Sequence, residues 1–144
     1  MNVATSGSII RPTGYTTYHC ICSELIIALP RALQDCPKRL QDGAHICELD
    51  GTPASIVMGT MVDPDAVILK LDDGFEKRYL VKCSRCGVMV GYQLDQAQYA
   101  NSKDVYGRLE SALFLLAGGL VSTADLEAGN HLGRSSQVTE SVTA

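Results

Sequence analysis

Apolar residues in this chain fall into short blocks separated by turn-forming residues, and few of the blocks have helical spacing. Tyr15 to Leu29 is β-prone and becomes apolar towards its end, in S-E-L-I-I-A-L, before Pro30 stops it. It reads as one strand. Residues 30–44 hold two prolines, mixed charges and Gly43, and read as an irregular connection with one helical turn. The turn signals G-T-P and D-P-D then bracket a short apolar run within 51–65.

The clearest unit is A-V-I-L-K-L-D-D-G-F-E-K-R-Y-L-V-K-C. Asp73-Gly74 separates two β-prone runs, and Gly supplies the positive φ that a tight turn demands. The pattern predicts antiparallel pairing of Ala66–Leu71 with Phe75–Lys82, followed by a third strand over Val88–Leu94. Residues 95–109 are polar, with room for a short helix. The stretch A-L-F-L-L-A-G-G-L-V-S-T is ambiguous: Val105, Leu109, Ala112, Leu113 and Leu116 fit a helix, while Gly118-Gly119 fits a hairpin. The pattern as a whole predicts a mainly β, β-rich α+β fold. It divides into an arm over 1–14, a domain over 15–123 and a Ser/Thr/Gly-rich tail over 124–144. No internal repeat is visible.

Composition narrows the function classes. The chain has 144 residues, enough for one domain with a core. Its net charge of −4 argues against general nucleic-acid binding. With no Trp and two Phe, an aromatic platform for single strands is poorly supplied. No stretch has the length and apolarity of a membrane span. The start, M-N-V-A-T-S-G-S-I-I-R-P, lacks the basic and apolar regions of a signal peptide. The expected setting is therefore intracellular and reducing, where cysteines more often bind metal than form disulfides.

Six cysteines make that distinction matter. Cys20 and Cys22 form C-x-C in Y-H-C-I-C; Cys83 and Cys86 form C-x-x-C before Gly87 in K-C-S-R-C-G. Zn²⁺ favours four soft sulfur ligands in a tetrahedron, and two close pairs supply them. Gly87 lets the chain fold back so that N–H groups face the sulfurs, the knuckle of a zinc ribbon. On an extended strand Cys20 and Cys22 would share a face. A thioredoxin-type C-x-x-C would open a helix, whereas this one leads into the strand-like V-M-V-G-Y-Q. Cys20, Cys22, Cys83 and Cys86 are thus the expected ligands of a structural Zn²⁺. Cys36 and Cys47 read as small buried hydrophobes.

These motifs together carry a family resemblance. Y-H-C-I-C, then R-Y-L-V-K-C-S-R-C-G running into G-Y-Q, is similar to the signature of the STING ER exit protein family. The likeness spans about residues 15–123; Arg78 and Tyr79 are adjacent here where family members space them. It also takes in a Leu-Pro and basic segment after the first strand and a hairpin before the second pair. The resemblance implies a hairpin, not a helix, in L-F-L-L-A-G-G-L-V. It further implies a role in COPII-dependent exit from the endoplasmic reticulum, or in nuclear splicing assemblies, with location in cytoplasm at the ER or in the nucleus.

Three functions compete. A non-enzymatic zinc-stapled adaptor would bind protein partners through strand edges and hairpins. A ribonucleoprotein component would use the local basic run Lys77, Arg78, Lys82 and Arg85; alternation puts Arg78 and Lys82 on one face. The same run on an edge strand also serves simply to deter aggregation. An enzyme is disfavoured, because four thiolates close a zinc site that catalysis needs open. His19, His45 and His131 lie in unrelated contexts, and Asp72-Asp73 is a turn pair.

Overall fold

The computed structural model describes residues 14–98 and 107–129. Residues 1–13 of the expected 1–14 arm, residues 99–106, and residues 130–144 of the expected 124–144 tail, with His131, lie outside them. Among the described residues ten strands form two antiparallel sheets. In chain order they are β1 Thr16–Cys20, β2 Leu25–Leu29, β3 His45–Glu48, β4 Ile56–Val57, β5 Thr60–Val62, β6 Val67–Leu71, β7 Gly74–Cys83, β8 Met89–Leu94, β9 Ala112–Leu115 and β10 Leu120–Ser122. A short helix, α1, covers Thr123–Glu127.

One sheet has four strands in the order β10-β1-β2-β4. The other has six, in the order β3-β9-β8-β7-β5, with β6 also on β7. The ten-residue β7 serves β6 with its first half and β5 with its last residues. A mainly β fold of small antiparallel sheets is therefore what the chain adopts.

The principal core lies between the sheets. Tyr18, Ile26, Ile27 and Leu29 from the smaller sheet meet Val81, Val90, Leu113 and Leu115 from the larger one. Full removal of such side chains from water contributes roughly 1.5–3 kcal/mol each. A second cluster, Ala44, Tyr92, Leu94 and Phe114, lies on the other face of the larger sheet. That face is closed by an ionic network. Arg39 bridges both oxygens of Glu76 at 2.9 and 2.7 Å, and Arg78 reaches Glu76 at 2.7 Å and Asp42 at 3.2 Å. The Arg78 guanidinium stands 4.0 Å from the Tyr92 ring centre. Tyr92 donates to Asp42 at 2.7 Å and stacks on Phe114 with ring centres 5.2 Å apart.

The predicted meander β6-β7-β8 is present, and its second turn is the Cys83–Gly87 knuckle. Its first turn is set one residue earlier than the Asp-Gly pair suggested. Leu71 pairs with Gly74, so Asp72 and Asp73 form the loop and Gly74 opens β7 with φ +144°. The irregular 30–44 segment contains its expected helical turn, at Leu33–Asp35. Gln96–Gln98 supplies a further turn of 3-10 helix in the polar segment.

Two expectations require correction. Tyr15–Leu29 is a hairpin, not one strand: Ser23 adopts φ +82° and reverses the chain between β1 and β2. The stretch 112–122 is strand, turn and strand, but its strands do not pair. β9 already has β3 and β8 on its two edges, so the chain crosses to the other sheet and β10 pairs with β1. After β10 the chain enters α1. Ser122 caps α1 by accepting from the Asp125 N–H at 3.1 Å, and the Thr17 and Thr123 hydroxyls join α1 to β1.

Candidate metal centre

The two knuckles come from different sheets. The first closes the β1–β2 hairpin, where Ser23 N–H donates to the Cys20 carbonyl and Cys20 N–H to the Glu24 carbonyl, both at 2.8 Å. The second closes β7–β8, where Gly87 N–H donates to the Cys83 carbonyl at 2.9 Å and Cys83 N–H to the Val88 carbonyl at 2.8 Å. Gly87 has φ +80°, as its place after C-x-x-C predicts. Cys22 lies in the turn itself rather than on the strand with Cys20. The face-sharing argument for that pair is thereby replaced: the turn, not strand alternation, aims both sulfurs the same way.

The four sulfurs of Cys20, Cys22, Cys83 and Cys86 all lie within 4.8 Å of one another. Across the knuckles, Cys20 Sγ is 3.5 Å from Cys86 Sγ, and Cys22 Sγ is 3.6 Å from Cys83 Sγ. Zn–S bonds of 2.3 Å in a tetrahedron set sulfurs about 3.8 Å apart. The donor set therefore fits one soft, four-coordinate ion. Cys20 and Cys83 are fully buried, Cys22 is half-buried and Cys86 is exposed, so the centre reaches the surface at one corner.

Backbone N–H groups surround the sulfurs. Those of Cys22 and Glu24 face the sulfurs of Cys20 and Cys22, and those of Arg85 and Cys86 face Cys83. Hydrogen bonds of this kind favour thiolate, the ligating form. At Cys83 they outweigh burial, which raises the thiol, and bring it down to about 7. At Cys20 burial dominates and pushes the thiol up to about 12. A bound cation favours thiolate at all four positions.

Two residues brace the knuckles against each other. Arg85 Nη1 donates to the Cys22 carbonyl at 3.4 Å and brings positive charge to the thiol cluster. Gly59, just before β5, accepts from Ser84 N–H of the second knuckle at 2.9 Å. A Cβ there would sit 2.4 Å from the Leu25 carbonyl oxygen and 2.9 Å from Glu24 Cγ, beside the first knuckle. Gly59 has φ +52°, so both the contact and the backbone select glycine. Sequence reasoning passed over it; V-M-G-T carries no turn dipeptide to mark it.

The basic run is dispersed and internally paired. Lys77 bridges Asp95 at 3.3 Å, Lys82 bridges Asp63 at 2.9 Å, and Arg78 belongs to the buried network with Glu76 and Asp42. Arg78 and Lys82 are each held by a carboxylate. His19 bonds Ser23 and Thr123 at 3.0 and 2.9 Å, while His45 is buried. Neither belongs to the thiol cluster. Cys36 and Cys47 are both buried, as expected, and also lie apart from that cluster.

Among the described residues no helix is long and apolar enough to cross a membrane. A family model described as the STEEP1 domain matches residues 11–129, and so takes in both knuckles, both sheets and α1. With that match over most of its length, the chain belongs to the STEEP1 domain family, the family of the STING ER exit protein.

Proposed function

We propose that the chain is a non-enzymatic adaptor stapled by a structural Zn²⁺ on Cys20, Cys22, Cys83 and Cys86, and that it docks protein partners in COPII-dependent traffic from the ER. The observation that carries the reading is the closed set of four thiols, contributed by both sheets of a STEEP1 domain. Zn²⁺ supplies a redox-inert cross-link there, and four protein ligands leave it no position for substrate. The protein's own groups orient the sulfurs, through knuckle N–H groups, Gly59 and Arg85. The metal thus holds the hairpins as a display surface, and binding rests on surface shape and chemistry.

The splicing alternative, which the family resemblance also implies, would use the basic run to contact protein or an anionic partner. Three of its four cations are paired with carboxylates, which removes much of that support. The folded domain is proposed to run from about residue 15 to the end of α1. A budding assay on ER membranes tests the trafficking role. Added chain should raise the yield of COPII vesicles, and Cys83→Ser protein should not. Unchanged yield with metal-loaded, folded chain, or co-purification with splicing complexes instead of coat proteins, would contradict it.

A further inference from the structure

The two remaining cysteines lie in one buried cluster. Cys36 and Cys47 stand eleven positions apart in sequence, on two segments that run antiparallel. Lys38 bridges His45 with Arg39 N–H on the Ala44 carbonyl at 2.9 Å and Ile46 N–H on the Pro37 carbonyl at 2.7 Å. Those bonds flank the Lys38–His45 pair, which makes it a non-hydrogen-bonded pair. Continued by two residues on each segment, that register would set Cys36 opposite Cys47 in another such position. Cys36 is still extended there, with φ −80° and ψ 146°. Non-hydrogen-bonded pairs hold Cα atoms about 4.5 Å apart, inside the range of about 4.4–6.8 Å that a disulfide spans.

Both thiols also line one small pocket, of about 200 Å³, together with Arg31, Pro37 and Pro53. One water needs only about 10–15 Å³ of such volume, so the pocket has room for a small oxidant. Cys36 is the more accessible, at 7% exposure against 2% for Cys47.

We propose that Cys36 and Cys47 form a dithiol that hydrogen peroxide converts into a disulfide, separate from the metal centre. The Cys36 sulfur attacks one peroxide oxygen and the O–O bond breaks. Cys36 becomes a sulfenic acid, and the released hydroxide takes the thiol proton to leave as water. The Cys47 sulfur then attacks the Cys36 sulfur. The S–O bond breaks, and a second water leaves with the Cys47 proton. The two thiols lose two electrons and two protons, and the peroxide is reduced to two waters. The product ties the segment after the Leu33–Asp35 turn to β3 across the pocket.

Peptide mapping of the full chain after stoichiometric hydrogen peroxide tests this. Trypsin cuts after Lys38 and Arg39, between the two cysteines, so their disulfide appears as two linked peptides. That linked pair is expected in the natural sequence and lost in Cys36→Ser, with Cys47 then recovered as a free thiol. Glutathione disulfide at the same concentration should form it more slowly. Recovery of both thiols unlinked, over-oxidation of Cys36 without linkage, or Cys36 linked to a different cysteine would overturn the proposal. The map of the natural sequence decides the matter even if the variant fails to fold, and it reads these two residues separately from the metal cysteines.

Discussion

At Cys83 three demands converge. The residue ends β7, buries its sulfur fully and faces two backbone N–H groups. Serine keeps the volume but removes the soft ligand. Metal binding to a structural zinc site is worth on the order of 10 kcal/mol of folding free energy. Cys83→Ser should therefore lose bound metal and lower the melting temperature far more than Cys36→Ser, which loses only thiol packing. Parallel thermal melts with metal assays check this; equal melts would contradict it. Gly59→Ala is a second single-residue test. The added Cβ meets backbone, which cannot swing aside, and the residue would be held at φ +52°. A loss of about 1–3 kcal/mol is expected from strain of this kind, with weakened metal retention, because both knuckles rest on Gly59. Denaturant titration with and without chelator measures both effects.

The elements differ in how legible they were. The β6-β7-β8 meander is local, so alternation and an Asp-Gly signal sufficed to find it, though not to fix the turn to the residue. The C-x-x-C-G knuckle was legible because sulfur spacing and glycine conformation are properties of five consecutive residues. The β1–β2 turn was not, because I-C-S-E contains no glycine, proline, asparagine or aspartate, and Ser23 carries the positive φ instead. The pairing of β10 with β1 was also hidden, since it joins residues about a hundred positions apart. The same non-local logic governs the ionic cover on β7 and β8. Alternation marked Arg78 as a candidate contact, but only the fold reveals Arg39, Glu76, Asp42 and Tyr92 around it.

Breaking that cover should be costly. Glu76→Ala takes their shared carboxylate from two half-buried guanidiniums, with Arg78 still paired to Asp42, so the loss should lie below the roughly 3–5 kcal/mol of a broken fully buried pair. Charge reversal at Arg78 together with Lys82 should likewise destabilise the domain, rather than leave it folded and merely reduce partner capture. Circular dichroism melts distinguish the two outcomes. The network also sets an acid response. Hydrogen bonds from Arg39, and then from Arg78, hold the Glu76 carboxyl below the ordinary glutamate range. A carboxyl depressed in the folded state contributes stability that is complete above its unfolded value, about 4.3. That contribution is lost as pH falls through the lower folded value. Stability should drop from about pH 4 downward, and Glu76→Gln should flatten part of the drop. An unchanged acid profile in Glu76→Gln would mean the network carries no linkage.

Over the whole molecule, the thiol cluster joins two sheets that otherwise meet through the core between them, which includes Tyr18 and Leu115, and through the chain crossings from β2 to β3, β3 to β4, β4 to β5 and β9 to β10. Removing the metal should free the knuckle end first, with hydrogen exchange rising at Ile21–Glu24 and Ser84–Val88 before the β3–β9 pairing loosens. The adaptor reading needs that staple, because a display surface built from hairpins works only if the hairpins are held. The most direct test is X-ray absorption at the zinc edge on the purified full chain, with metal stoichiometry measured on the same sample. The account predicts one Zn²⁺ per chain and a single shell of four sulfurs at about 2.3 Å. A chain without stoichiometric metal, a shell containing nitrogen or oxygen, or a disulfide among Cys20, Cys22, Cys83 and Cys86 would contradict it.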